Sequence, residues 1–123
     1  MPFFEHKNRQ FYYEVHGEGE PLLYLHGWNG NMSGFKKNLI PGLQNYQCIA
    51  FDLPGFGRSQ SQNISFEDIV ESIHALLDHL KIKSVNLIGF CMGGTLALDY
   101  AMRFQDRVKK IILVETYADF PWF

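Results

Sequence analysis

One cysteine lies in a pattern of residues that suits nucleophilic chemistry. Cys91 stands between Gly89 and Gly93, after the apolar run at 85–88 and before a segment with helical spacing. A chain that turns sharply from a strand into a helix needs small residues on either side of the bend, and it exposes the side chain at the bend. The first N–H groups of a helix have no partner within it, so the Met92 N–H is available to a developing oxyanion. The pattern predicts Cys91 as a nucleophile and the Met92 N–H as an oxyanion-hole donor.

The alternative for Cys91 is a small buried thiol, which is the usual state of an unpaired cysteine. The other cysteine, Cys48, is expected in the core because it lies within the apolar run at 47–51. His74 and His79 are five residues apart on a predicted helix and do not share a face, so both are expected at the solvent edge. With no His-Glu-x-x-His pattern and no Cys-x-x-Cys pair, the sequence predicts neither a metal site nor a cofactor.

Strands and helices alternate along the chain and would position these residues. Strands are predicted at 2–6, 10–16, 22–26, 47–51, 85–88 and 110–114, and helices over 33–44, 65–80 and 92–104. Ser65 and Asp68 have the spacing of a capping box at the start of the second helix. Alternation of this kind gives right-handed crossovers between parallel strands. We predict a single α/β domain over residues 1–123, with a mostly parallel sheet and crossover helices.

Composition and charge argue against several classes of function. The chain has 11 Lys and Arg against 13 Asp and Glu, a net charge of -2 and a pI near 6.2, so nucleic-acid binding is not expected. No apolar run approaches the roughly 20 residues that a membrane span needs. The first residues lack the basic and apolar segments of a signal peptide. We therefore expect no membrane partner and a cytoplasmic location.

Three motifs, each behind a predicted strand, carry a resemblance to the α/β-hydrolase fold family. The segment GFCMG at 89–93 resembles the nucleophile elbow of that family, in which the nucleophile sits on the turn between a strand and a helix. The segment LHGW at 25–28 resembles its oxyanion loop. The segment DLPGFGRS at 52–59 resembles the turn that members carry after the next strand. Together the motifs cover essentially the whole chain.

The resemblance implies a hydrolase of ester, thioester or similar acyl or C–C bonds, acting on a small-molecule acyl substrate. It assigns Cys91 as the nucleophile and the backbone N–H groups of Trp28 and Met92 as the oxyanion hole. Most members carry serine at the elbow, whereas a minority, similar to dienelactone hydrolases, carry cysteine. On the sequence alone, a natural cysteine and an introduced replacement of serine are both open.

The catalytic base is the larger departure from the family pattern. Members follow the order nucleophile, acid, histidine, whereas the five histidines of this chain all precede Cys91. His26 is interpreted as a structural residue of the oxyanion loop in preference to a base. Glu115, after the last predicted strand, is a weak candidate for the acid, with an ordinary polar loop as the alternative. The sequence resembles the N-terminal half of the fold, and whether this chain alone is an enzyme stays open.

A non-catalytic half-domain is the alternative interpretation. In such a half-fold the apolar strand at 111–114 would lie at an open sheet edge, which offers unpaired N–H and C=O groups to another strand. We therefore predict self-association, most simply a homodimer that pairs two copies of this strand antiparallel. The basic side chains near the end of the last helix, Arg103, Arg107, Lys109 and Lys110, are expected to be solvated.

Overall fold

The computed structural model of the chain describes residues 3–26, 40–52 and 65–114. The strands in these ranges are β1 (Phe3–His6), β2 (Arg9–His16), β3 (Glu20–Leu25), β4 (Tyr46–Phe51), β5 (Val85–Phe90) and β6 (Val108–Val114). The helices are α1 (Phe66–His79) and α2 (Met92–Arg103), with short 3-10 helices at Ile40–Gly42 and Gln105–Arg107. Neither α1 nor α2, the α-helices of the described ranges, has the length and hydropathy of a membrane span.

The described strands pair in one sheet in the order β1-β2-β4-β3-β5-β6. β3 pairs in parallel with β4 and β5, and β5 pairs in parallel with β6, whereas β1 and β2 add antiparallel pairs. The predicted α/β class, with a mostly parallel sheet and crossover helices, is therefore confirmed. The β1–β2 connection is a tight hairpin, since Lys7 and Asn8 adopt φ values of 52° and 62°, as a two-residue turn of type I′ requires.

The central strands β3, β4 and β5 are buried on both faces of the sheet. One face packs beneath the helices, and its buried side chains include Leu23, Leu25, Ile49, Phe51 and Leu87 from the strands and Ile73, Leu76, Leu77, Leu96 and Tyr100 from α1 and α2. The other face is lined by Tyr12, Leu22, Tyr24, Cys48, Ala50 and Ile88, with Ile40 and Leu43 packed against it. Burial on both faces explains why β3, β4 and β5 read as continuous apolar runs in the sequence.

The described parts of the two connections that join β3 to β4 and β4 to β5 lie on opposite faces of the sheet. Ile40 and Leu43, which lie between β3 and β4 in the sequence, pack on one face, and α1, between β4 and β5, packs on the other. The chain moves from β3 to its neighbour β4 and then returns past β3 to β5, so the strand order reverses there. Ligands of open parallel sheets bind outside the carboxyl ends of the strands at such a reversal. His26 directly follows β3 and Cys91 directly follows β5, so both residues lie at the carboxyl ends of the strands where the order reverses.

Several boundaries differ from the predicted ones. β3 begins at Glu20 and β6 at Val108, each two residues before the predicted start. These strand ends do not belong to the apolar runs of the sequence because they carry polar side chains, of which Glu20 and Lys109 form an ion pair at 2.6 Å. Of the helix predicted over 33–44, residues 33–39 lie outside the described ranges, and Ile40–Gly42 form a 3-10 helix instead.

The helix that returns the chain from β4 to β5 begins at the predicted capping box. The Ser65 hydroxyl accepts from the Asp68 N–H at 3.0 Å, and the Asp68 carboxylate accepts from the Ser65 N–H at 3.4 Å. These hydrogen bonds hold the pKa of the Asp68 carboxyl below its ordinary value. The box fixes the start of α1, and the apolar stripe of the helix then packs onto the sheet.

Candidate active site

Cys91 forms the bend between β5 and α2. Its backbone has a φ of 53° and a ψ of -118°, outside the regions that L-residues normally occupy. The Cys91 N–H donates to the carbonyl of Val114 at 2.9 Å. The Cys91 carbonyl accepts from the N–H groups of Gly94 at 3.0 Å and Thr95 at 3.3 Å. Backbone strain persists only where surrounding contacts over-determine it, and it concentrates at functional sites.

The glycines that flank the bend are required by backbone packed against backbone. A Cβ at Gly89 would overlap the Cα of Gly94 and lie 2.6 Å from the carbonyl oxygen of Gly93. A Cβ at Gly93 would overlap the Leu25 carbonyl oxygen and lie 2.5 Å from that of His26. The first contact lets α2 start directly beside β5, and the second brings the start of α2 against the end of β3.

His26 is buried beside this junction. Its side chain is 1% exposed, and its carbonyl oxygen lies against Gly93 in the first turn of α2. The first residues of the motif at 25–28 therefore lie next to the elbow. The predicted second donor, Trp28, lies outside the described residues, as does the candidate acid Glu115.

The two thiols of the chain have different surroundings. Cys91 is partly exposed at the start of α2. The N–H of Met92, the first residue of that helix, has no acceptor within the helix. Cys48 is 0% exposed, with its Sγ 3.7 Å from the Leu43 carbonyl oxygen, and burial raises the pKa of its thiol. The prediction that Cys48 is a core residue is confirmed, whereas Cys91 is open in part to solvent.

Tyr24 is coupled electrostatically to the elbow. Its side chain is buried on the face of the sheet opposite the helices. Burial raises the pKa of the Tyr24 phenol, and a negative charge at Cys91 raises it in addition. The phenol therefore stays neutral at physiological pH, within electrostatic reach of the Cys91 sulfur.

His74 and His79 are packing residues on α1. The His74 ring stacks on Phe104 with ring centroids 3.9 Å apart, and its Nδ1 lies 3.0 Å from the Tyr100 hydroxyl. His74 lies at the solvent edge as predicted, with its side chain 27% exposed, and its ring also packs between α1 and the end of α2. His79 stays exposed while its ring stacks on Phe4, with centroids 5.5 Å apart.

The other three histidines lie in or directly after strands of the sheet. His6 and His16 belong to the β1–β2 hairpin, and His26 is buried at the end of β3. Asp52, directly after β4, is 3% exposed, and its N–H donates to the Tyr12 carbonyl at 3.1 Å. Across residues 3–26, 40–52 and 65–114, no three His, Cys, Asp or Glu side chains are grouped so that they could hold a metal ion.

Sequence reasoning missed the support that β6 gives the bend. The Val114 carbonyl, which accepts from the Cys91 N–H, is supplied by the last pair of the β5–β6 register, Phe90 with Val114. The two positions are far apart in the sequence, and any residue can supply a backbone carbonyl. Only the predicted parallel pairing of these two strands could have indicated the contact.

Comparison with known proteins gives the geometry a context. The sequence profile described as "alpha/beta hydrolase fold" matches residues 20–123. The chain is 31% identical to the cis-3-alkyl-4-alkyloxetan-2-one decarboxylase of Shewanella oneidensis, over 96% of this chain and 40% of that protein. It is 30% identical to the pimeloyl-[acyl-carrier protein] methyl ester esterase of Vibrio cholerae, over 89% of this chain and 42% of that protein.

A solved structure shows the same arrangement of strands and helices. The esterase EaEST from Exiguobacterium antarcticum superposes with a TM-score of 0.83 at 30% identity, over 93% of this chain and 44% of that chain. The chain thus spans less than half the length of each of these proteins.

Proposed function

The chain belongs to the α/β-hydrolase fold family, and from that membership we propose that Cys91 forms a covalent acyl intermediate with a small-molecule substrate. The supporting observation is the strained backbone of Cys91, with φ at 53° between β5 and α2, together with its partly exposed thiol. Two of the relatives are named as esterases, so an ester is the proposed substrate class.

The proposed step transfers the acyl group of the ester to sulfur. The Cys91 thiol gives its proton to solvent, and the thiolate attacks the carbonyl carbon. Formation of the S–C bond gives a tetrahedral oxyanion, which collapses as the C–O bond breaks; the alkoxide leaves with the electron pair and takes a proton from solvent to become the alcohol. The product is a thioester on Cys91 that water can hydrolyse.

The oxyanion would be bound by backbone N–H groups. The Met92 N–H at the start of α2 is one proposed donor, since it has no acceptor within the helix. The Trp28 N–H is the other proposed donor, because Trp28 belongs to the motif at 25–28, whose first residues lie beside the elbow. Losing one such donor costs other hydrolases about 3–4 kcal/mol of transition-state stabilisation.

Release of the acyl group needs a general base, and no histidine follows Cys91 in this sequence. We therefore propose that the chain alone acylates and releases its acyl group slowly. Cysteine suits such a chain, because a few per cent of a free thiol is ionised at neutral pH and the thiolate is strongly nucleophilic. A serine hydroxyl in the same place would need the absent base.

A stoichiometric burst tests the proposal. Mixing the folded chain with 4-nitrophenyl acetate should release about one equivalent of nitrophenolate per chain, followed by slow turnover. Cys91→Ala should abolish the burst, and Cys91→Ser should reduce it at least tenfold, because the alcohol lacks a base. A burst of equal size in wild type and Cys91→Ala would contradict the assignment of the nucleophile.

A non-catalytic half-domain is the second candidate, and the exposed apolar strand β6 favours it. It predicts that the release of nitrophenolate from 4-nitrophenyl acetate does not differ between wild type and Cys91→Ala. Circular dichroism and the urea midpoint of both proteins serve as controls, so that an unfolded variant is not taken for an inactive one.

A further inference from the structure

A two-stranded ribbon, residues 3–12, extends past the parallel strands of the sheet. It consists of β1, the tight turn and the first half of β2, which pairs with β1 along its length. The second half of β2 pairs instead with β4, beginning with Tyr13 opposite Phe51. The ribbon therefore lies beyond the carboxyl end of β4, at the same end of the sheet as Cys91.

Two ion pairs join the tip of the ribbon to α1. Lys7 Nζ lies 2.5 Å from Glu71 Oε2, and Arg9 Nη1 lies 3.8 Å from Asp68 Oδ2. All four side chains are partly exposed to solvent, and ion pairs of this kind add little to stability. The tip is therefore held weakly, and a change of one charge beside it can shift the balance between a docked and a released ribbon.

His6 lies beside these ion pairs at the tip of the ribbon. Its Nε2 is buried and has no hydrogen-bond partner among the described residues. Lys7 and Arg9 face it from the ribbon, and two carboxylates, those of Glu71 and Asp68, face it from α1. These two positive and two negative charges balance while His6 is neutral. Protonation would add a third positive charge and a buried N–H donor without an acceptor, which is costly.

We propose that pH controls the docking of the ribbon onto α1, so that protonation of His6 releases residues 3–12 while the parallel strands stay folded. Asp68 and Lys7 keep their charges in mild acid. Hydrogen bonds to Ser65 hold the pKa of the Asp68 carboxyl below its ordinary value, and the bond to Glu71 raises the pKa of the Lys7 ammonium.

The direction of the response follows from the surroundings of His6. Burial lowers the pKa of its imidazole, and the charge of Lys7 lowers it further. A released ribbon is free of both effects and binds the proton more tightly than the docked one. Mild acid therefore favours the released ribbon, and neutral pH favours the docked one.

Release would uncover aromatic side chains beneath the ribbon. The Phe4 ring is 5% exposed, and its centroid lies 6.1 Å from that of Phe51 on β4 and 5.5 Å from that of His79 on α1. Phe51 itself is 0% exposed. The ribbon is thus a pH-dependent cover over the aromatic side chains at the carboxyl end of β4.

Hydrogen exchange of backbone amides tests the proposal. The hydrogen-bonded β1 amides should be less protected than those of β5, because they exchange when the ribbon opens and not only when the whole chain unfolds. A histidine that is neutral when docked and has a pKa of about 6.5 when released shifts this opening by at most about tenfold between pH 7.5 and 5.5. We therefore expect β1 protection factors, corrected for intrinsic exchange, to fall about three- to tenfold. Equal protection of β1 and β5 at pH 5.5 would overturn the proposal, since the ribbon would then leave only by global unfolding.

Glutamine variants assign the effect to one histidine. In His6→Gln the β1 protection factors should stay constant between pH 7.5 and 5.5, because no proton is taken up at the tip. His16→Gln, on the same hairpin, is the matched control and should show the full fall. Equal falls in wild type and His6→Gln would contradict the role of His6.

An NMR titration of the wild-type chain tests the same point without a variant. The His6 ring should titrate below its ordinary value of 6.5. Titration at or above 6.5 would overturn the proposal, because acid would then not favour release. The docking of the ribbon involves no chemistry at Cys91, so this proposal and the proposed acyl transfer can fail separately.

Discussion

The backbone of Cys91 adopts a conformation that only glycine reaches without strain. With φ at 53° and ψ at -118°, it lies outside even the left-handed helical region that asparagine and aspartate visit. Strain of this kind costs about 1–3 kcal/mol. The surrounding hydrogen bonds to Val114, Gly94 and Thr95 hold it in place. We therefore expect the backbone conformation that exposes the Cys91 thiol to lower the unfolding free energy of the chain.

Replacing Cys91 by glycine should separate stability from chemistry. Cys91→Gly relieves the strain but adds freedom to the unfolded chain, so we expect a net gain of about 1 kcal/mol in unfolding free energy over Cys91→Ala. Urea denaturation of both variants measures the difference, and alanine is the control because it removes the thiol and keeps the strain. A glycine variant less stable than the alanine variant would show that the backbone at this position is unstrained.

The sequence predicted the bend at Cys91 because its cause is local. Gly89 and Gly93 are each required by contacts that any larger residue would break, and the strand and helix on either side are visible in the hydropathy pattern. The Val114 carbonyl and the coupling of Tyr24 to Cys91 could not be predicted, because they depend on how distant strands pair.

Among the elements, the turn between α1 and β5 is fastened by one side chain. Arg107 Nε donates to the Lys83 carbonyl at 2.9 Å, and its Nη2 donates to the Ile82 carbonyl at 2.7 Å and to Asp78 Oδ1 at 2.9 Å. The expectation that Arg107 is a solvated residue is wrong. The guanidinium instead ties the segment before β6 to the segment before β5.

Removing this side chain should destabilise the fold. Arg107→Ala deletes three charge-assisted hydrogen bonds, and we expect a loss of about 1–3 kcal/mol in unfolding free energy. Arg103→Ala is the matched control, because Arg103 makes surface ion pairs with Asp99 at 3.2 Å and Glu67 at 3.5 Å, and such pairs contribute about 0.5 kcal/mol. Thermal and urea denaturation would compare the two variants. Equal losses of unfolding free energy in both would mean that Arg107 does not stabilise the turn.

The elements that could be predicted were those with a strong period or cap. The helix α1 combines a capping box with an apolar stripe, and both were readable without knowledge of tertiary contacts. The ends of β3 and β6 were missed because Glu20 and Lys109 look like loop residues until the two strands are seen to lie close together. β1 and β2 run antiparallel because the chain reverses in the tight turn at Lys7 and Asn8. This turn lacks the glycine that usually marks such a hairpin in a sequence.

For the whole molecule, His6 in the β1–β2 hairpin gives stability a dependence on mildly acidic pH. The His6 Nε2 is buried without a partner in the described residues. Burial lowers the pKa of His6, the charges of Lys7 and Arg9 lower it further, and Glu71 and Asp68 oppose them. The folded state therefore takes up the proton less readily than the unfolded state.

The sign of the pH dependence follows from this lowered pKa. The contribution of His6 is fully present above the unfolded-state pKa of about 6.5, and it is lost as the pH falls through the lower folded-state value. We expect urea midpoints to decline from pH 7.5 to 5.5 and the decline to be shallower in His6→Gln. His16→Gln is the control on the same hairpin and should keep the slope. An unchanged slope in His6→Gln would mean that another group binds the proton.

The topology explains why six strands and two helices suffice to build the elbow. The reversal of strand order between β3 and β5 brings His26 and Cys91 to one end of the sheet, and both strands are central to the described sheet. Because the chain spans less than half the length of the relatives it matches, the base and the walls of the substrate pocket could not be predicted from its sequence.

Peptide mapping of the acylated chain tests most directly whether Cys91 is the nucleophile. The native chain is treated with 4-nitrophenyl acetate until one equivalent of nitrophenolate is released, then quenched in acid and digested. We predict one acetyl group on the peptide that contains Cys91 and none on the peptide that contains the buried Cys48, which should react only after denaturation. Acetyl groups spread over lysines and Cys48, in the same yield from wild type and Cys91→Ala, would contradict it.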